Sequence, residues 1–437
     1  MAGRKNARAP KTIGISRASE ILARDKAVGT PSATREYDFV FSRGRGCYVW
    51  DVDGHRYLDF AAGIAVLSAG HANPAIISAV KMQLARGSHC GFYDFCAETP
   101  VAFQEKLVSL MPHGLSKVFL ANSGTETVEA AYKLARRHSG RMLTVAFEKC
   151  FHGRTMGALS MTSSKPVQRE GFGPFLPVQH IPYPYFYRSG FATPEECSRA
   201  CLQIADSFFR HHREEIAALF IEPIQGEGGY IVPPAGFLAE LKKMCSEHGI
   251  LFVADEVQTG CYRTGTFLAC EQFGVKPDIV CMAKAIGGGF PIGAMVSTHE
   301  IMDWPPGAHA NTFGGNLVSC AAGLANLNFL EKRKAGENAA KLGQLLLKRL
   351  GEMEERHKLI GDVRGMGLMA GMELVRGDGQ KTPARKEVAR LLELCKESGL
   401  LLLPAGQSVI RFCPPLVIKK EQLLHGLDIL DRCMAKL

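Results

Sequence analysis

Between residues 116 and 330, short apolar runs alternate with segments whose apolar residues recur every three or four positions. The apolar runs predict buried strands, and the periodic segments, such as residues 234–249, predict helices. This alternation is typical of a parallel sheet that helices cover on both faces. Ligands of such sheets bind beyond the carboxyl ends of the strands. Strands are predicted within residues 116–122, 216–222, 249–255 and 278–284.

The pattern differs toward the two ends of the chain. Residues 47–60 alternate around Asp53-Gly54, which predicts a hairpin. After about residue 330, helical runs at 335–357 and 382–398 flank a glycine-punctuated strand pair, and short strands follow near Leu400 and Ile410. We therefore predict an α/β protein with a large domain at 76–330, built on a mostly parallel sheet covered by helices, and a smaller α+β domain at 331–437. The segment 1–75 contributes to the small domain.

Composition and charge exclude several classes of protein. Hydrophobic residues at 46% and charged residues at 22% are ordinary for a soluble globular chain of 437 residues. No apolar run approaches the roughly 18 residues of a membrane span, and the N-terminus has no apolar signal region. Residues 1–26 hold seven Lys/Arg and two acidic residues, more than half of the net charge of +9. The remaining chain is only mildly basic, which argues against a nucleic-acid partner.

The basic N-terminus has two interpretations, an organelle-targeting segment and a flexible basic arm, and the arm is favoured. The sequence has no secretory signal and no membrane span, and we therefore predict a cytoplasmic protein with no membrane partner. The fourteen cysteines include no CxxC pair, and several lie inside apolar segments. They are predicted to be free thiols in a reducing compartment, with neither a disulfide framework nor a metal site.

One lysine raises a chemical question. Lys284 ends an apolar run and is followed by Gly287, Gly288 and Gly289. The order of residues is wrong for a phosphate-binding P-loop, and Pro291 interrupts any dinucleotide-binding fingerprint. A solvated strand end is the ordinary interpretation of such a lysine. The alternative is that burial lowers its pKa, so that the neutral amine can form a Schiff base with a carbonyl.

Three further features are predicted to lie at strand ends of the same sheet. Asp255 closes a strand 29 residues before Lys284, which is enough for one crossover. The segment Ser123–Thr125 lies where a strand turns into a helix, a position that binds phosphate. Phe151 and His152 follow another apolar run and offer an aromatic face. Pyridoxal phosphate is held by four kinds of group: a carboxylate, a phosphate-binding turn, an aromatic ring that stacks on the cofactor and a lysine that forms the Schiff base.

Motifs along nearly the whole chain, from about residue 36, resemble those of one family. They are NSGTETVEAA, FHGRT, IEPIQGEGG, ADEVQTG, MAKAIGGGFPIGA and NTFGGN. These are similar to the motifs of the class III (ω-amino acid) aminotransferases, which are pyridoxal-phosphate enzymes of fold type I. The segment DFAAGIAVL near residue 60 resembles the 4-aminobutyrate aminotransferase branch.

The resemblance implies roles for individual residues around the cofactor. Lys284 would be the Schiff-base lysine and proton shuttle, and Asp255 would pair with the pyridine nitrogen. The remaining cofactor contacts would be Ser123, Gly124 and Thr125 at the phosphate, Phe151 and Val257 on the two ring faces, Gln258 at the phenolic oxygen, His152 beside Phe151, and Thr312 from the partner subunit.

The resemblance also implies a substrate site. Arg411 would bind the α-carboxylate of glutamate or 2-oxoglutarate, because arginine binds a carboxylate with two hydrogen bonds. Glu227 would neutralise Arg411 when the bound amine has no α-carboxylate. Arg154 would bind the other carboxylate. Ile64 would line the pocket and favours a 4-aminobutyrate-like substrate, because ornithine-type relatives tend to have tyrosine there.

The predicted function is a homodimeric aminotransferase, or a dimer of such dimers. It would transfer the amino group of an ω-amino acid, foremost 4-aminobutyrate, to 2-oxoglutarate, giving an aldehyde and glutamate. Two alternatives within the family stay open, an amino acid racemase or epimerase and an aminotransferase for ornithine, acetylornithine or lysine. A cofactor-binding protein without catalysis is a third alternative, disfavoured because every catalytic position is filled.

Overall fold

A computed structural model describes residues 16–377 and 379–437 of the protein. Four of the seven basic residues of the predicted N-terminal arm fall in positions 1–15, so most of that prediction lies outside the described residues. The arm's last part, Arg17–Val28, is a helix with no buried residue. Its N-cap is Ser16, whose hydroxyl accepts a hydrogen bond from the backbone N–H of Ser19.

The described chain alternates between helices and strands for most of its length. The helices are α1 Arg17–Val28, α2 Ala62–Ala65, α3 Pro74–Arg86, α4 Glu98–Ser109, α5 Gly124–Ser139, α6 Met156–Met161, α7 Phe186–Ser189, α8 Pro194–His212, α9 Phe237–Glu247, α10 Leu317–Lys332, α11 Ala335–Glu354, α12 Arg385–Glu397 and α13 Lys420–Met434. Short 3-10 helices cover Pro166–Gln168, Ala269–Phe273 and Lys284–Gly287.

The strands form three sheets in the described chain. They are β1 Phe41–Arg45, β2 Tyr48–Asp51, β3 Arg56–Asp59, β4 Lys117–Ala121, β5 Leu143–Phe147, β6 Val178–Ile181, β7 Ile216–Ile221, β8 Leu251–Asp255, β9 Ile279–Met282, β10 Gly293–Ser297, β11 Ile360–Met366, β12 Met369–Leu374, β13 Leu400–Leu401, β14 Leu403–Ala405 and β15 Val409–Phe412. The predicted hairpin and the four strands predicted between residues 116 and 284 are confirmed.

The largest sheet has seven strands in the order β4-β10-β9-β8-β7-β5-β6. All its pairs are parallel except those of β10, which runs antiparallel to both β4 and β9. The predicted mostly parallel sheet is therefore confirmed, with β10 as its one antiparallel strand. Only residues 283–292 connect β9 to β10, and a parallel crossover needs about a dozen residues or more.

Side chains from the two faces of the large sheet enter different hydrophobic clusters. In β9, Ile279 and Cys281 pack in the cluster that contains the apolar face of α5, together with residues of α8 and α9. Val280 and Met282 point to the opposite face and pack with residues of α3, α4 and α10. Successive strand residues alternate between faces, so helices cover this sheet on both sides, as predicted.

The two smaller sheets involve the two ends of the chain. One is β1-β2-β3-β13, in which Leu58 and Asp59 of β3 pair in parallel with Leu400 and Leu401. The other, β11-β12-β15-β14, is antiparallel throughout. The N-terminal hairpin therefore shares a sheet with the C-terminal segment, although more than 340 residues separate them in sequence.

The predicted domain limits both fall inside helices. The limit between residues 75 and 76 cuts α3 near its start, and the limit between 330 and 331 cuts α10 two residues before its end. An intact helix moves as a unit, so the start of α3 and the end of α10 are physically better limits. Of the helices in the described residues, none is long and apolar enough to cross a membrane.

The predicted free thiols are confirmed. Every cysteine lies in the described part of the chain, all fourteen are free, and twelve are buried. Among the described residues, no group of three or more histidine, cysteine or acidic side chains is placed to hold a metal ion.

Candidate active site

A cavity of about 540 Å³ lies at the carboxyl edge of the large sheet. Because β10 is antiparallel to both β4 and β9, the strands β4, β9, β8, β7 and β5 all end at this edge. The segments that follow them line the cavity. Its lining residues are Val66, Asn122, Ser123, Gly124, Thr125, Phe151, His152, Gly153, Arg154, Glu222, Asp255, Val257, Gln258, Ala283, Lys284, Gly289, Phe290, Pro291 and Ile292.

Lys284 lies two residues after the end of β9 and lines the cavity. Its φ angle is 46°, in the left-handed region that residues with a Cβ atom rarely adopt. Burial lowers the pKa of Lys284, although the charges of Asp255 and Glu222 oppose the shift. A lysine in this environment is a neutral amine in a larger fraction of molecules than a lysine in water, which is the state that attacks a carbonyl.

Asp255, at the end of β8, is held by two hydrogen bonds. Its Oδ2 is 2.7 Å from Nδ1 of His152, and its Oδ1 accepts from the backbone N–H of Val257 at 3.1 Å. His152 is buried. Burial disfavours the imidazolium, but Cys150 and Asp255 more than offset this and raise the pKa of His152 well above its usual range. The short hydrogen bond to His152 fixes the orientation of the Asp255 carboxyl group.

The turn from β4 into α5 forms a cup at the cavity wall. Ser123 is the N-cap of α5, and its hydroxyl accepts from the N–H of Glu126. The first N–H groups of a helix have no partner within the helix, and the helix dipole favours an anion there. Gly124 leaves room for the close approach of Val257, because a Cβ atom at this position would lie 2.8 Å from Cγ1 of Val257. Thr125 lines the same wall.

Phe151 and Arg154 line the side of the cavity near β5. The Arg154 guanidinium lies 5.7 Å from the centre of the Phe151 ring. The backbone N–H of Phe151 donates to Oε1 of Glu222 at 2.8 Å, which fixes the aromatic residue at the cavity wall. Gly153 allows close packing here, since a Cβ atom would lie 2.2 Å from Oγ1 of Thr125.

Glu222 is a site residue that the sequence reasoning missed. It directly follows β7, lines the cavity and is buried. Its Oε2 accepts from the N–H of Gly226 at 2.9 Å, so it joins the Phe151 segment to the loop after β7. Burial raises the pKa of Glu222 to about 8, with the charge of Asp255 adding to the shift and His152 opposing it. A polar residue immediately after a buried strand, the signal that identified Asp255, was present here too.

Arg411 and Glu227 form an ion pair beside the cavity. Nη1 of Arg411, in β15, lies 3.3 Å from Oε2 of Glu227, in the loop after β7. The Arg411 side chain is 6% exposed, and its Nε is without a hydrogen-bond partner in the described structure. Both charges act on Lys284: Arg411 lowers its pKa and Glu227 raises it. The second oxygen of Glu227 binds Lys165, another residue absent from the sequence-based site.

Four predicted site residues do not line the cavity of this chain: Arg411 and Glu227, which lie beside it, and Ile64 and Thr312. Ile64 is 37% exposed and belongs to α2, a left-handed turn in which Ala62, Gly63, Ile64 and Ala65 all have φ angles between 47° and 63°. Asp59 holds the start of this turn by accepting from the N–H groups of Ala61 and Ala62. Val66, just after the turn, reaches the cavity instead. Thr312 is exposed and lies outside the lining of its own chain's cavity.

These residues fit pyridoxal phosphate. The buried Asp255, held in place by His152, suits a protonated pyridine nitrogen, and the glycine-widened start of α5 suits a phosphate. Lys284 lines the same cavity with a lowered pKa. Fold and site together therefore define a pyridoxal-phosphate-dependent enzyme.

Comparison with known proteins identifies the family. The family model "Aminotransferase class-III" matches residues 30–434. The chain belongs to the class III aminotransferases, and the fold expected from the resemblance is confirmed.

Relatives with different names are similarly close. The 5-aminovalerate aminotransferase DavT of Pseudomonas aeruginosa is 38% identical over 97% of this chain and 100% of its own. The 4-aminobutyrate aminotransferase of Mycobacterium leprae is 38% identical over 90% of each chain. A leucine/methionine racemase of Thermococcus litoralis is 39% identical over 96% of each chain. Identity alone therefore does not separate transamination of an ω-amino acid from racemisation.

A solved structure gives the same fold with the cofactor present. The amine transaminase from an uncultivated Pseudomonas species, in its PLP-bound form, superimposes with a TM-score of 0.88. It is 30% identical in sequence, and the match covers 94% of this chain and 98% of that one.

Proposed function

We propose that the enzyme transfers the amino group of an ω-amino acid, foremost 4-aminobutyrate, to 2-oxoglutarate, giving an aldehyde and glutamate. The observation that carries this proposal is the Arg411–Glu227 ion pair at 3.3 Å beside Lys284. An arginine with a removable internal counter-ion suits an enzyme that binds one substrate with an α-carboxylate and one without. The names of the 5-aminovalerate and 4-aminobutyrate relatives give the same substrate class.

The chemistry is divided between cofactor and protein. Bound pyridoxal phosphate supplies a reactive carbonyl and a ring that withdraws electrons from the substrate's amino carbon. The neutral amine of Lys284 can accept the proton from that carbon and return it elsewhere. Asp255 would hold positive charge on the ring nitrogen, and Phe151, Val257 and Gln258 would orient the ring. The start of α5 would bind the phosphate, and Arg154 would bind the carboxylate at the far end of the substrate.

Glu227 is needed because one substrate has an α-carboxylate and the other does not. With glutamate or 2-oxoglutarate, the α-carboxylate binds Arg411 and Glu227 withdraws. With 4-aminobutyrate no carboxylate lies beside the reacting amine, and Arg411 would be left as an unpaired charge in a nearly buried position. An uncompensated buried charge costs several kcal/mol, so Glu227 remains its partner in that half-reaction.

Single-turnover measurements of the two half-reactions test this proposal. We expect Glu227→Gln to slow the reaction with 4-aminobutyrate more than the reaction with glutamate. Arg411→Lys should do the reverse, because lysine cannot make the two-pronged contact with a carboxylate. Cofactor absorbance follows each half-reaction separately. Equal losses in both half-reactions for both variants would reject the proposed switch.

The wild-type enzyme separates the remaining alternatives in a coupled assay. We expect glutamate to form from 2-oxoglutarate and 4-aminobutyrate, with no loss of optical rotation from single-enantiomer amino acids. A wild-type protein that is inert toward 4-aminobutyrate, but racemises an α-amino acid or uses ornithine, acetylornithine or lysine, would replace the proposed substrate. The racemase relative makes this second measurement necessary.

A homodimer completes the proposal. Thr312 is exposed and followed by Phe313, a large apolar side chain that is 60% exposed. A partner subunit that covers this segment would bury Phe313 and bring its own Thr312 to the cofactor of the first. The cytoplasmic location stays a prediction of the sequence.

A further inference from the structure

Glu227 is shared between two cations. Its Oε1 lies 2.6 Å from Nζ of Lys165, and its Oε2 lies 3.3 Å from Nη1 of Arg411. Lys165 immediately precedes the 3-10 helix Pro166–Gln168, whereas Arg411 belongs to β15. The contact with Lys165 is the shorter one and lies nearer to solvent, because the Lys165 side chain is 35% exposed and that of Arg411 is 6% exposed.

The backbone around Glu227 is fixed, so that only its side chain is free to turn. Its carbonyl accepts a hydrogen bond from the N–H of Gly406 at 2.8 Å. Gln225 and Ile231 exchange backbone hydrogen bonds on either side of the loop. The neighbouring Gly228 packs so closely that a Cβ atom there would lie 2.2 Å from the carbonyl oxygen of Lys149. A change of partner at Glu227 is therefore a rotation of the side chain.

Lys165 supplies the second positive charge that balances Glu227 and a bound ligand carboxylate. Lys165 and Arg411 carry two positive charges and Glu227 carries one negative charge. A ligand carboxylate that binds Arg411 makes this group neutral. Without Lys165, the same ligand would leave two carboxylates facing one arginine in a largely buried position, which is unfavourable because like charges repel strongly there.

We propose that Lys165 is a positioning residue that holds Glu227 by Oε1 while a ligand carboxylate binds Arg411. This inference rests on the proposed function, in which Arg411 is the α-carboxylate site. Lys165 lowers the cost of separating Glu227 from Arg411, because the carboxylate keeps one strong partner when it loses the other. Lys165 thereby favours binding of substrates that carry an α-carboxylate.

Calorimetric titration of the holoenzyme with glutarate tests this role without turnover, since glutarate has neither an amino nor an oxo group. Four variants are compared with wild type: Lys165→Met, Lys165→Arg, Glu227→Gln and the double variant Lys165→Met/Glu227→Gln. We expect Lys165→Met to weaken glutarate binding about tenfold, a size typical of coupling between contacting charges. Lys165→Arg should restore binding to within about twofold of wild type, because it keeps the charge.

The double variant distinguishes positioning from direct binding. In the Glu227→Gln background there is no carboxylate for Lys165 to hold, so Lys165→Met should change the glutarate Kd by less than about twofold. An equal loss in both backgrounds would show that Lys165 attracts the ligand directly and would overturn the inference. A Lys165→Met enzyme that binds glutarate as wild type does would also overturn it.

A second ligand separates this inference from the proposed function. The probe 2-aminoisobutyrate has an α-carboxylate but no hydrogen on its amino carbon. If wild type binds this probe and not glutarate, the assignment of 2-oxoglutarate as the acceptor is wrong. The role of Lys165 is then tested by titrating the same variants with 2-aminoisobutyrate, with the same expected changes in Kd. Binding of neither ligand would remove the carboxylate site at Arg411 and would overturn both proposals.

Discussion

Buried ionisable groups dominate the site at the scale of single residues. Lys284 is placed where burial lowers its pKa, and Glu222 is placed where burial raises its pKa to about 8. Both shifts favour the neutral form of the group. Asp255 lies beside them and contacts His152, whose pKa is raised well above its usual range. Neighbouring residues thus have their pKa values shifted in different directions by their surroundings.

Lys284→Ala should abolish turnover while leaving cofactor binding measurable. The start of α5 and Asp255 remain as contacts for the cofactor, but the amine that moves the proton is absent, and loss of general acid–base catalysis costs about 10²- to 10⁴-fold. In wild type, borohydride should attach the cofactor covalently to the chain, with the label on Lys284 in peptide mapping. Lys117→Ala, at the exposed start of β4, is the matched control. A label on another lysine would contradict the assignment.

The raised pKa of Glu222 predicts a pH dependence of stability. Between the ordinary pKa of 4.5 and about 8, the folded state holds a proton that the unfolded state has released. Stability therefore falls as pH rises through this window. The glutamine of Glu222→Gln cannot ionise, so the stability of this variant should not fall in this way. Between pH 5 and 9, the free energy of unfolding of the variant should therefore rise relative to that of wild type.

Thermal unfolding of the holoenzyme across that pH range measures the effect. At low pH the variant should be the less stable protein, because the amide cannot accept hydrogen bonds from both Phe151 and Gly226 as the carboxyl group does. Glu105→Gln, on the exposed side of α4, is the control and should run parallel to wild type at all pH values. A parallel course for Glu222→Gln as well would show that Glu222 is ionised throughout.

At the scale of elements, close packing decides where glycine is needed. Helix α11 contains three glycines, and two of them, Gly343 and Gly351, lie in very different surroundings. A Cβ atom on Gly343 would lie 2.2 Å from the carbonyl oxygen of Gly367, whereas a Cβ atom on Gly351 would meet nothing within 4 Å. Gly343 lets the helix lie directly against the turn between β11 and β12. Gly351 makes no such contact and only weakens the helix.

Alanine substitutions at these two positions should therefore have opposite effects. Gly351→Ala should stabilise the protein by about 0.5–1 kcal/mol, because alanine loses less backbone freedom in a helix. Gly343→Ala should destabilise it by about 1–3 kcal/mol, the usual cost of overpacking. Denaturant titration of the holoenzyme gives both values, and each variant serves as the control of the other. Stabilisation by both substitutions would mean that α11 can move away from residue 367.

At the scale of the whole molecule, a group of exposed apolar side chains offers an interface for the proposed dimer. Met82, Phe95 and Phe313 are each at least 60% exposed. The segments that carry the two phenylalanines touch, since the rings of His89 and Phe313 lie 5.2 Å apart and Asn316 donates to the carbonyl of Ser88. Exposed apolar groups that cluster in this way are typical of protein interfaces. The same face carries Thr312, which the resemblance assigns to the partner's cofactor.

Phe313→Glu should shift the protein from dimer to monomer and reduce its cofactor content, because a buried charge would oppose association and Thr312 would no longer reach the partner's site. Sedimentation velocity combined with cofactor absorbance measures both properties, and dilution of wild type should produce the same coupled loss. Phe191→Glu, at another exposed phenylalanine before α8, should change neither property. A monomer with full activity would contradict the shared site.

Local sequence signals were enough to predict much of this protein. The pattern of apolar residues along the chain predicted the strands and helices around Lys284 and Asp255, because buried strands are continuous apolar runs and surface helices are amphipathic. Polar residues at strand ends located the candidate cofactor site, because the carboxyl ends of parallel strands meet at one edge. The motifs then gave the family. These are local signals, and each is carried by a few neighbouring residues.

The contacts between distant segments could not be predicted in this way, because they form when the chain folds. The antiparallel direction of β10, the pairing of β3 with β13 and the hydrogen bonds of Glu222 depend on which segments meet in space. The same is true of Glu227, whose two cations are 62 and 184 residues away in sequence. A lysine in a loop has no local feature that marks it as the partner of a particular carboxylate. Its role follows from distance and burial, which exist only once the chain has folded.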